Sequence, residues 1–410
     1  MDRDSTLADP RIAQDGARQP ALSGLRGIAA LGVFAVHAYA LAGLATVSAD
    51  HPTLSFLLAW PSQMGWAGVD LFFTLSAFLL ALPFARANLQ QSTAPNLRGY
   101  AARRLLRILP AYYVQLAVLL ILIASGLDTG LISPPAVPMA RLLVQPFFLY
   151  DLGWPGVATT QFPLIGSWWT LPVELSFYAL LPWLARLLRP GRWRWLLLGV
   201  AFAWSWRAAL LWTHSPSPAI DYLAEHLPGR IDQFVIGMLA AYALCRAPTS
   251  LAWLSGRKAD LVFVLGALVF LLLPILGYRH GWPMGTEPRR EWWLIGWHSY
   301  ASVAVAAMLF AACRATRWIS ASFGSLPLRL LGQISYGFYL WHLPVLLWMH
   351  AHGGVVAAGG ALAFVFTGLI FSLLLAIVSW VVVERPALSL VTRWRRRAVV
   401  ASGERQTPPR

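Results

Sequence analysis

Apolar residues fill long windows of the sequence, and short segments rich in Arg, Pro, Gly and other polar residues separate these windows. Most windows are close to the ~20 residues that an α-helix needs to cross a bilayer. The pattern therefore predicts an all-α fold, a polytopic membrane helical bundle with about ten transmembrane helices. The windows lie at 22–46, 63–85, 105–125, 167–187, 194–213, 231–246, 259–278, 294–313, 330–350 and 361–384. A shorter apolar run at 140–150 favours an interfacial or re-entrant helix.

The composition supports a membrane protein. Hydrophobic residues make up 58% of the 410 residues, charged residues make up only 12%, and there are 21 Trp. The mean hydropathy is +0.59. Because soluble globular domains carry about 25% charged residues, this composition excludes a soluble protein of this length.

Basic residues are distributed unevenly between the two sides of the predicted bundle. Of the 32 Lys and Arg residues, five lie in loops opposite the N terminus and two lie within predicted spans. The others lie on the N-terminal side and in the tails, so the positive-inside rule places both termini in the cytoplasm. The chain then divides into a cytoplasmic tail (1–21), a membrane domain (22–388) and a basic cytoplasmic tail (389–410).

The net charge of +15 follows mostly from this topology. No basic segment alternates with exposed aromatic residues in a soluble module, so we expect the arginine-rich tail to meet the lipid bilayer and no nucleic acid. The two cysteines, Cys245 and Cys313, have no metal-binding spacing, and we expect no bound metal. The sequence also lacks a Walker-type glycine loop and a G-x-S-x-G elbow.

Two ionisable residues, Arg26 and His37, lie within the first apolar window. Eleven residues at 100° each come to about three turns, so both side chains lie on one helix face, with His37 roughly 16 Å deeper. Ionisable groups inside a bilayer are costly and mark functional sites, which makes these two residues candidates for the ends of a reaction path. A snorkelling Arg and a His that is hydrogen-bonded to a neighbouring helix would give the same pattern.

Three further ionisable residues lie at a similar depth in their windows. In the assigned orientation Asp70 and Glu174 enter from outside to roughly 10 Å, and His342 rises roughly 18 Å from inside. In a ~30 Å hydrocarbon core these residues share one layer with His37. The shared layer predicts a polar chamber inside the bundle, and a structural hydrogen-bond cluster is the alternative.

Arg103, Arg104 and Arg107 lie at the start of the third predicted span. One of the first two shares a helix face with Arg107. Positive-inside anchoring explains such residues by itself. Together with Arg26 they also suit a phosphate-bearing donor, because a guanidinium binds phosphate through two parallel hydrogen bonds.

Seven segments resemble, in the same order, the motifs of the acyltransferase 3 family of integral membrane O-acyltransferases. They are LRGIAALGVFAVHA, GWAGVDLFFTLSAFLL, RRLLRILPAYY, GSWWTLPVELSFYALLP, LPGRIDQFVIGMLAA, SYGFYLWHLP and VERPAL. The resemblance extends from residue 22 to residue 388. Ala77 departs from the family pattern, which usually has Gly there, and the motifs do not explain the long outer loop at 126–166.

The resemblance implies transfer of an acyl group, commonly acetyl, from acyl-CoA to a hydroxyl of a carbohydrate or glycoconjugate, such as an envelope or extracellular polysaccharide. Acyl-CoA is then a co-substrate, and we expect no permanently bound cofactor. The expected location is the cytoplasmic (inner) membrane of a bacterium. We interpret His37 as the general base or a transient acyl carrier, because an imidazole titrates near neutral pH.

The other candidate residues take roles around this base. Glu174 and Asp70 are interpreted as catalytic carboxylates that orient His37 or hold the acceptor, and His342 as a second proton shuttle. The remaining assignments are Arg26, Arg104 and Arg107 for donor binding, and Arg230 and Asp232 for the acceptor side.

Two other functional classes fit parts of the sequence. A secondary transporter or flippase of a glycolipid would use the buried charges as a coupling site, although no inverted halves are evident. A scaffold subunit of a polysaccharide complex would leave those charges unexplained. Within the acyltransferase interpretation, a small-molecule antibiotic that enters from the cytoplasm is the alternative acceptor.

Overall fold

The computed structural model describes residues 20–42, 52–126, 145–148, 165–213, 223–251, 253–279, 292–352 and 354–390. Within these ranges the regular structure is helical and contains no strand, which confirms the all-α prediction. The helices are α1 (Pro20–Leu41), α2 (Pro52–Gln90), α3 (Leu97–Ala124), α4 (Thr170–Leu184), α5 (Leu197–Thr213), α6 (Leu227–Ser250), α7 (Arg257–Arg279), α8 (Trp292–Ala312), α9 (Arg317–Phe323), α10 (Leu326–Ala351) and α11 (Gly354–Ser379).

Each predicted apolar window overlaps one of the longer helices, whereas the short helix α9 has no counterpart among the windows. Six segments of the described chain have the length and apolar composition to cross a bilayer. They are Pro20–Leu41, Ala67–Gln90, Leu97–Ala124, Trp193–Trp212, Ile295–Ala312 and Gly360–Leu390. The count of about ten spans and the orientation stay predictions. The predicted helix at 140–150 and both tails lie largely outside the described residues.

Helix α2 occupies the middle of the bundle. It packs along α1 and α6, and it also contacts α7 and α8. Side chains on several of its faces are fully buried, among them Phe73, Leu75 and Phe78. A helix that is apolar all round, without a polar stripe, is the type that is buried at the centre of a bundle.

Two glycines bring α1 and α10 into close backbone contact, and a third lets α1 touch the end of α9. A Cβ atom at Gly332 of α10 would overlap the carbonyl oxygen of Ser23, and one at Gly27 would overlap that of Leu328 in α10. A Cβ atom at Gly24 would overlap the carbonyl oxygen of Phe323, the last residue of α9. Small residues at a crossing allow two helices to approach until their backbones touch. The crossing therefore fixes the distance between the side chains that α1 and α10 present to each other.

Helix α11 is irregular near both ends. Gly360 interrupts it with φ 69° and ψ −167°, a conformation that glycine adopts far more readily than other residues. At its other end a single π-helical turn, Trp380–Glu384, widens the helix. This turn directs the buried Glu384 carboxylate towards α3. Such π turns are frequent at functional sites.

We expect Gly332→Ala to destabilise the protein, because the added methyl group meets backbone that can move only if α1 and α10 separate. Overpacking of this kind costs about 1–3 kcal/mol. Thermal unfolding of the purified variant in detergent should therefore show a lower midpoint. Gly166→Ala is the control, because its Cβ would meet no atom closer than 3.7 Å. A wild-type midpoint for Gly332→Ala would contradict the close crossing.

Candidate active site

A cavity of about 860 Å³ lies between α1, α2, α3, α4 and α10. Sites for small-molecule ligands have volumes of about 300–1,000 Å³. Along α10 the lining runs from Leu326 to Tyr339, about 20 Å of helix. Leu326 is exposed, so the cavity opens to the surface at this end. We call it the arginine cavity, because its lining includes Arg26, Arg103, Arg104, Arg107 and Arg329.

Helix α3 places three of these arginines on the cavity wall. The helix begins after Asn96, whose side chain accepts a hydrogen bond from the Gly99 amide at 3.0 Å and caps the first turn. Arg107 lies one turn after Arg103 and Arg104, so the three guanidinium groups form a cationic strip along the wall.

Arg107 is held in place by a buried carboxylate. Its Nη1 donates to Glu384 Oε2 at 3.1 Å, and its guanidinium lies over the rings of Tyr336 and Trp380 at 5.6 and 5.7 Å. The other Glu384 oxygen accepts a hydrogen bond from the Ser379 hydroxyl at 3.2 Å. The π turn at the end of α11 therefore positions an arginine of α3.

Glu174 is the acidic residue of the cavity lining. Its Oε2 accepts a hydrogen bond from the Tyr178 hydroxyl at 2.6 Å, and the Arg104 guanidinium lies 5.9 Å from the centre of the Tyr178 ring. Arg26 lines the same cavity from α1. Among the described residues no carboxylate lies within ion-pair distance of Arg26 or Arg104. The cavity therefore carries an excess of positive charge, which favours an anionic ligand.

The inner end of the cavity is a wall formed by Phe72, Thr170 and Tyr339. The Tyr339 hydroxyl donates to the Ser167 carbonyl oxygen at 2.5 Å and lies 2.8 Å from Thr170 Oγ1, from which it accepts. The Phe72 ring meets the Tyr339 ring edge-on, with centroids 6.3 Å apart. We call these three residues the inner wall.

Gln115 of α3 anchors the 3₁₀ turn Gly166–Trp169, which leads into α4 at Thr170. The Trp168 Nε1 donates to Gln115 Oε1 at 2.9 Å, and Gln115 Nε2 donates to the Leu340 carbonyl oxygen at 2.6 Å. All three residues are fully buried. Helix α3, the turn before α4 and helix α10 are therefore tied together at the level of the inner wall.

A pair of histidines lies one turn beyond the inner wall. His342 follows Tyr339 by three residues, about 4.5 Å along the axis of α10. The centroids of these two rings are 5.7 Å apart. The Nε2 of His342 lies 3.0 Å from Nδ1 of His37 on α1, and the two imidazole centroids are 5.0 Å apart. Residues far apart in the sequence thus meet across the close crossing of α1 and α10.

The neighbours of the two imidazoles determine where each neutral ring carries its proton. His342 Nδ1 faces the carbonyl oxygens of Tyr339 (2.7 Å) and Phe338 (3.2 Å), so it donates and Nε2 is an acceptor. His37 Nδ1 lies 3.0 Å from the Val33 carbonyl oxygen and 3.0 Å from His342 Nε2, so it also donates. His37 Nε2 is then unprotonated, and the described residues give it no hydrogen-bond partner. An imidazole in this state can accept a proton from a substrate.

Asp70 and Arg230 lie in a separate buried network. The Arg230 Nη1 donates to Asp70 Oδ1 at 2.8 Å, and Nη2 donates to Glu225. The Nδ1 of His298 lies 2.9 Å from the same Asp70 oxygen. Because the Asp70 and Arg230 side chains are each 1% exposed, the ion pair is closed to solvent.

A second ion pair, between Arg207 and Asp232, extends this network to α5 and α8. The Arg207 Nη2 donates to Asp232 Oδ2 at 2.8 Å, and Nε donates to the Ile295 carbonyl oxygen at 2.7 Å. The Ser299 hydroxyl donates to the same carboxylate oxygen at 2.6 Å. Buried charges need such full pairing, because desolvation is otherwise more costly than the attraction is favourable.

The structure thus divides the predicted polar chamber into three parts. The arginine cavity contains Arg26, Arg104, Arg107 and Glu174, the histidine pair contains His37 and His342, and the ion network contains Asp70, Arg230 and Asp232. Among the described residues no carboxylate contacts either imidazole. The predicted contact of Glu174 or Asp70 with His37 is therefore not formed in this structure.

Several residues of these sites were not among the candidates predicted from the sequence, including Arg329, His298 and Tyr339. Arg329 lies just outside the 330–350 window and resembles an ordinary anchoring residue. His298 lies inside the 294–313 window and carries the same signal as His37, an ionisable group in an apolar run. Tyr339 lies within a recognised motif, but spacing alone does not reveal the two hydrogen bonds of its hydroxyl.

Comparison with known proteins gives consistent matches. The model of a family described as acyltransferase domain matches residues 19–381. BcsY of Komagataeibacter xylinus, provisionally named a membrane-bound transacylase, is 28% identical over 83% of this chain and 80% of its own. The exopolysaccharide production protein ExoZ of Rhizobium meliloti is 26% identical over 82% of this chain and 93% of its own. The peptidoglycan O-acetyltransferase OatA of Listeria monocytogenes is 24% identical over 80% of this chain and 49% of its own. No solved structure gives a significant match.

We expect Arg230→Ala to destabilise the protein strongly. The substitution leaves Asp70 without its main counter-charge in a site closed to solvent, and breaking a buried pair in this way costs about 3–5 kcal/mol. The thermal unfolding midpoint in detergent should fall well below that of Arg192→Ala, which removes an exposed arginine. If both variants unfold at the wild-type temperature, the ion network does not support the fold.

Proposed function

The chain belongs to the acyltransferase family whose domain model covers residues 19–381, and we propose that it moves an acetyl or similarly short acyl group from acyl-CoA to a carbohydrate hydroxyl. Family membership makes it an acyl-transferring enzyme. One observation carries the proposal. An arginine cavity leads from the surface to an inner wall, and a histidine pair lies one turn beyond that wall.

Acyl-CoA suits the arginine cavity by its charge. The coenzyme carries a diphosphate and a further phosphate on its ribose, and guanidinium groups bind phosphate oxygens through short, charge-assisted hydrogen bonds. Its thioester end is uncharged and suits the inner wall, which consists of two aromatic rings and a threonine. We propose that Arg26, Arg104 and Arg107 hold the phosphates or the pantetheine arm of the donor, which is a co-substrate and leaves as free CoA.

His37 is proposed as the general base. Its Nε2 accepts the proton of the acceptor hydroxyl while that oxygen attacks the thioester carbonyl carbon. The new C–O bond forms, the C–S bond breaks, and the CoA sulfur leaves with the proton returned from His37. His342 stabilises the transient imidazolium, because its Nε2 accepts the hydrogen bond from His37 Nδ1.

Glu174 and the carboxylates of the ion network are proposed to have different roles. Glu174 faces the arginine cavity and is placed to accept hydrogen bonds from the amide groups of the donor. Asp70, Arg230 and Asp232 form the ion network, which we assign to the acceptor side, where it holds α2 against α6 and α8.

The acceptor class is proposed from the relatives. Their names refer to exopolysaccharide production and to peptidoglycan O-acetylation. For this chain we propose an envelope or extracellular polysaccharide as the acceptor and a bacterial cytoplasmic membrane as the location. The distribution of basic residues favours a cytoplasmic position for both termini and for the mouth of the arginine cavity.

His37→Ala should abolish acyl transfer by purified, folded protein, because removal of a general base reduces the rate by about 10²-fold or more. The measurement is acceptor-dependent release of CoA. His342→Ala should lower kcat less, and His342→Gln should recover part of the loss, because its amide oxygen can accept from His37 Nδ1. His350→Ala, at an exposed position of the same helix, is the matched control. A His37→Ala turnover above about a tenth of wild type would reject this base.

Transfer should proceed across the membrane. Inside-out vesicles with a glycan trapped in their lumen should acetylate it when acetyl-CoA is added to the external medium. The reason is that the proposed orientation places the mouth of the arginine cavity on the outer surface of such vesicles. Right-side-out vesicles given the same external donor are the control and should remain inactive. Equal product formation with both substrates on the cytoplasmic face would favour a soluble acceptor such as an antibiotic.

A further inference from the structure

Arg329, at the mouth of the arginine cavity, has no role in the motifs or in the mechanism above. We propose that Arg329 binds the phosphate groups of acyl-CoA and thereby sets the depth at which the thioester stops. The inference rests on the proposed donor. It adds a phosphate subsite in the first turns of α10 to the arginines already assigned.

The distance from Arg329 to the inner wall matches the reach of the donor. Ten residues of α10 separate Arg329 from Tyr339, which is about 15 Å along the helix. In CoA twelve bonds join the diphosphate to the sulfur. A peptide backbone has three bonds per residue and extends at most ~3.3–3.6 Å per residue. At the same length per bond, the twelve bonds of the CoA arm span about 14 Å when fully extended. A phosphate held at Arg329 therefore brings the thioester to the inner wall, one turn from His342.

Arg107 lies too far inside the cavity for this role. Its guanidinium packs on the Tyr336 ring at 5.6 Å, and Tyr336 precedes Tyr339 by about 4.5 Å along the helix. A diphosphate at that level would leave too little room for an arm of about 14 Å. Arg107 is therefore better placed beside the arm of the donor than beside its phosphates.

The surroundings of Arg329 suit an anion. Arg329 is exposed at the open end of the cavity, and no carboxylate among the described residues pairs with it. It lies at the start of α10, where the helix dipole is positive. Ser325, the residue before this helix, makes no capping hydrogen bond through its side chain. A lipid headgroup offers the same phosphate chemistry, so the test must separate the two sources.

The test compares two donors with the same thioester. Acetyl-CoA carries the phosphates, whereas S-acetylpantetheine has the arm and the acetyl group without them. In maltoside micelles, which contain no phosphate, Arg329→Ala should raise KM for acetyl-CoA about tenfold. It should leave kcat/KM for S-acetylpantetheine at the wild-type value. Adenosine 3′,5′-bisphosphate, as a competitive inhibitor, should bind this variant about tenfold more weakly.

Two further variants serve as controls. Arg329→Lys keeps the charge and should recover part of the preference for acetyl-CoA. Arg317→Ala removes an exposed arginine of α9 that does not line the cavity, and it should match wild type with both donors.

Three results would overturn the phosphate subsite. An equal loss with both donors would indicate a structural role for Arg329. An unchanged KM for acetyl-CoA would show that Arg329 does not bind the phosphates. An effect seen only in vesicles with anionic lipid would assign Arg329 to lipid headgroups. Wild-type protein that uses neither thioester would instead reject the proposed donor, and the subsite with it.

Discussion

The cost of placing ionisable side chains in an apolar helical bundle governs this structure. A charge in such surroundings is tolerated where it meets an opposite charge or where it faces an open cavity. Asp70 and Arg230 meet the first condition, because their side chains pair at 2.8 Å and are each 1% exposed. Arg26 and Arg104 meet the second, because both line the arginine cavity. The positions of the charges therefore distinguish the closed half of the bundle from the half that can admit a ligand.

The histidine pair satisfies the same constraint in a third way. A neutral imidazole carries no net charge, so His37 and His342 need hydrogen-bond acceptors and no counter-ion. Backbone carbonyl oxygens one turn earlier on each helix supply these acceptors, at Val33 for His37 and at Phe338 and Tyr339 for His342. The inner wall separates this neutral pair from the arginines. In the proposed mechanism, charge attraction for the donor and proton transfer to the base therefore occur at different levels of the same helices.

The sequence predicts the helices well because most apolar windows are long enough to cross a bilayer. In a bilayer a single segment can satisfy its backbone hydrogen bonds internally only as a helix. The sequence also predicts where each ionisable group lies along its own helix, because the rise per residue is constant. It does not predict which helices are neighbours. His37 and His342 meet because glycines let α1 and α10 touch, whereas Asp70 faces Arg230 because α2 packs along α6. Position along an axis follows from spacing, but lateral contacts depend on packing between distant segments.

The excess positive charge of the arginine cavity couples the stability of the protein to any anion that binds there. Five guanidinium groups line the cavity, and among the described residues Glu174 and Glu384 are the carboxylates beside them. A ligand that binds only the folded chain raises the free energy of unfolding, by about 2.7 kcal/mol at a concentration 100 times its Kd. A multivalent anion that relieves the repulsion among these arginines acts in this way. Protein with such an anion bound then unfolds less often and is a poorer substrate for proteases, so the supply of that ligand helps to determine how much of the protein persists.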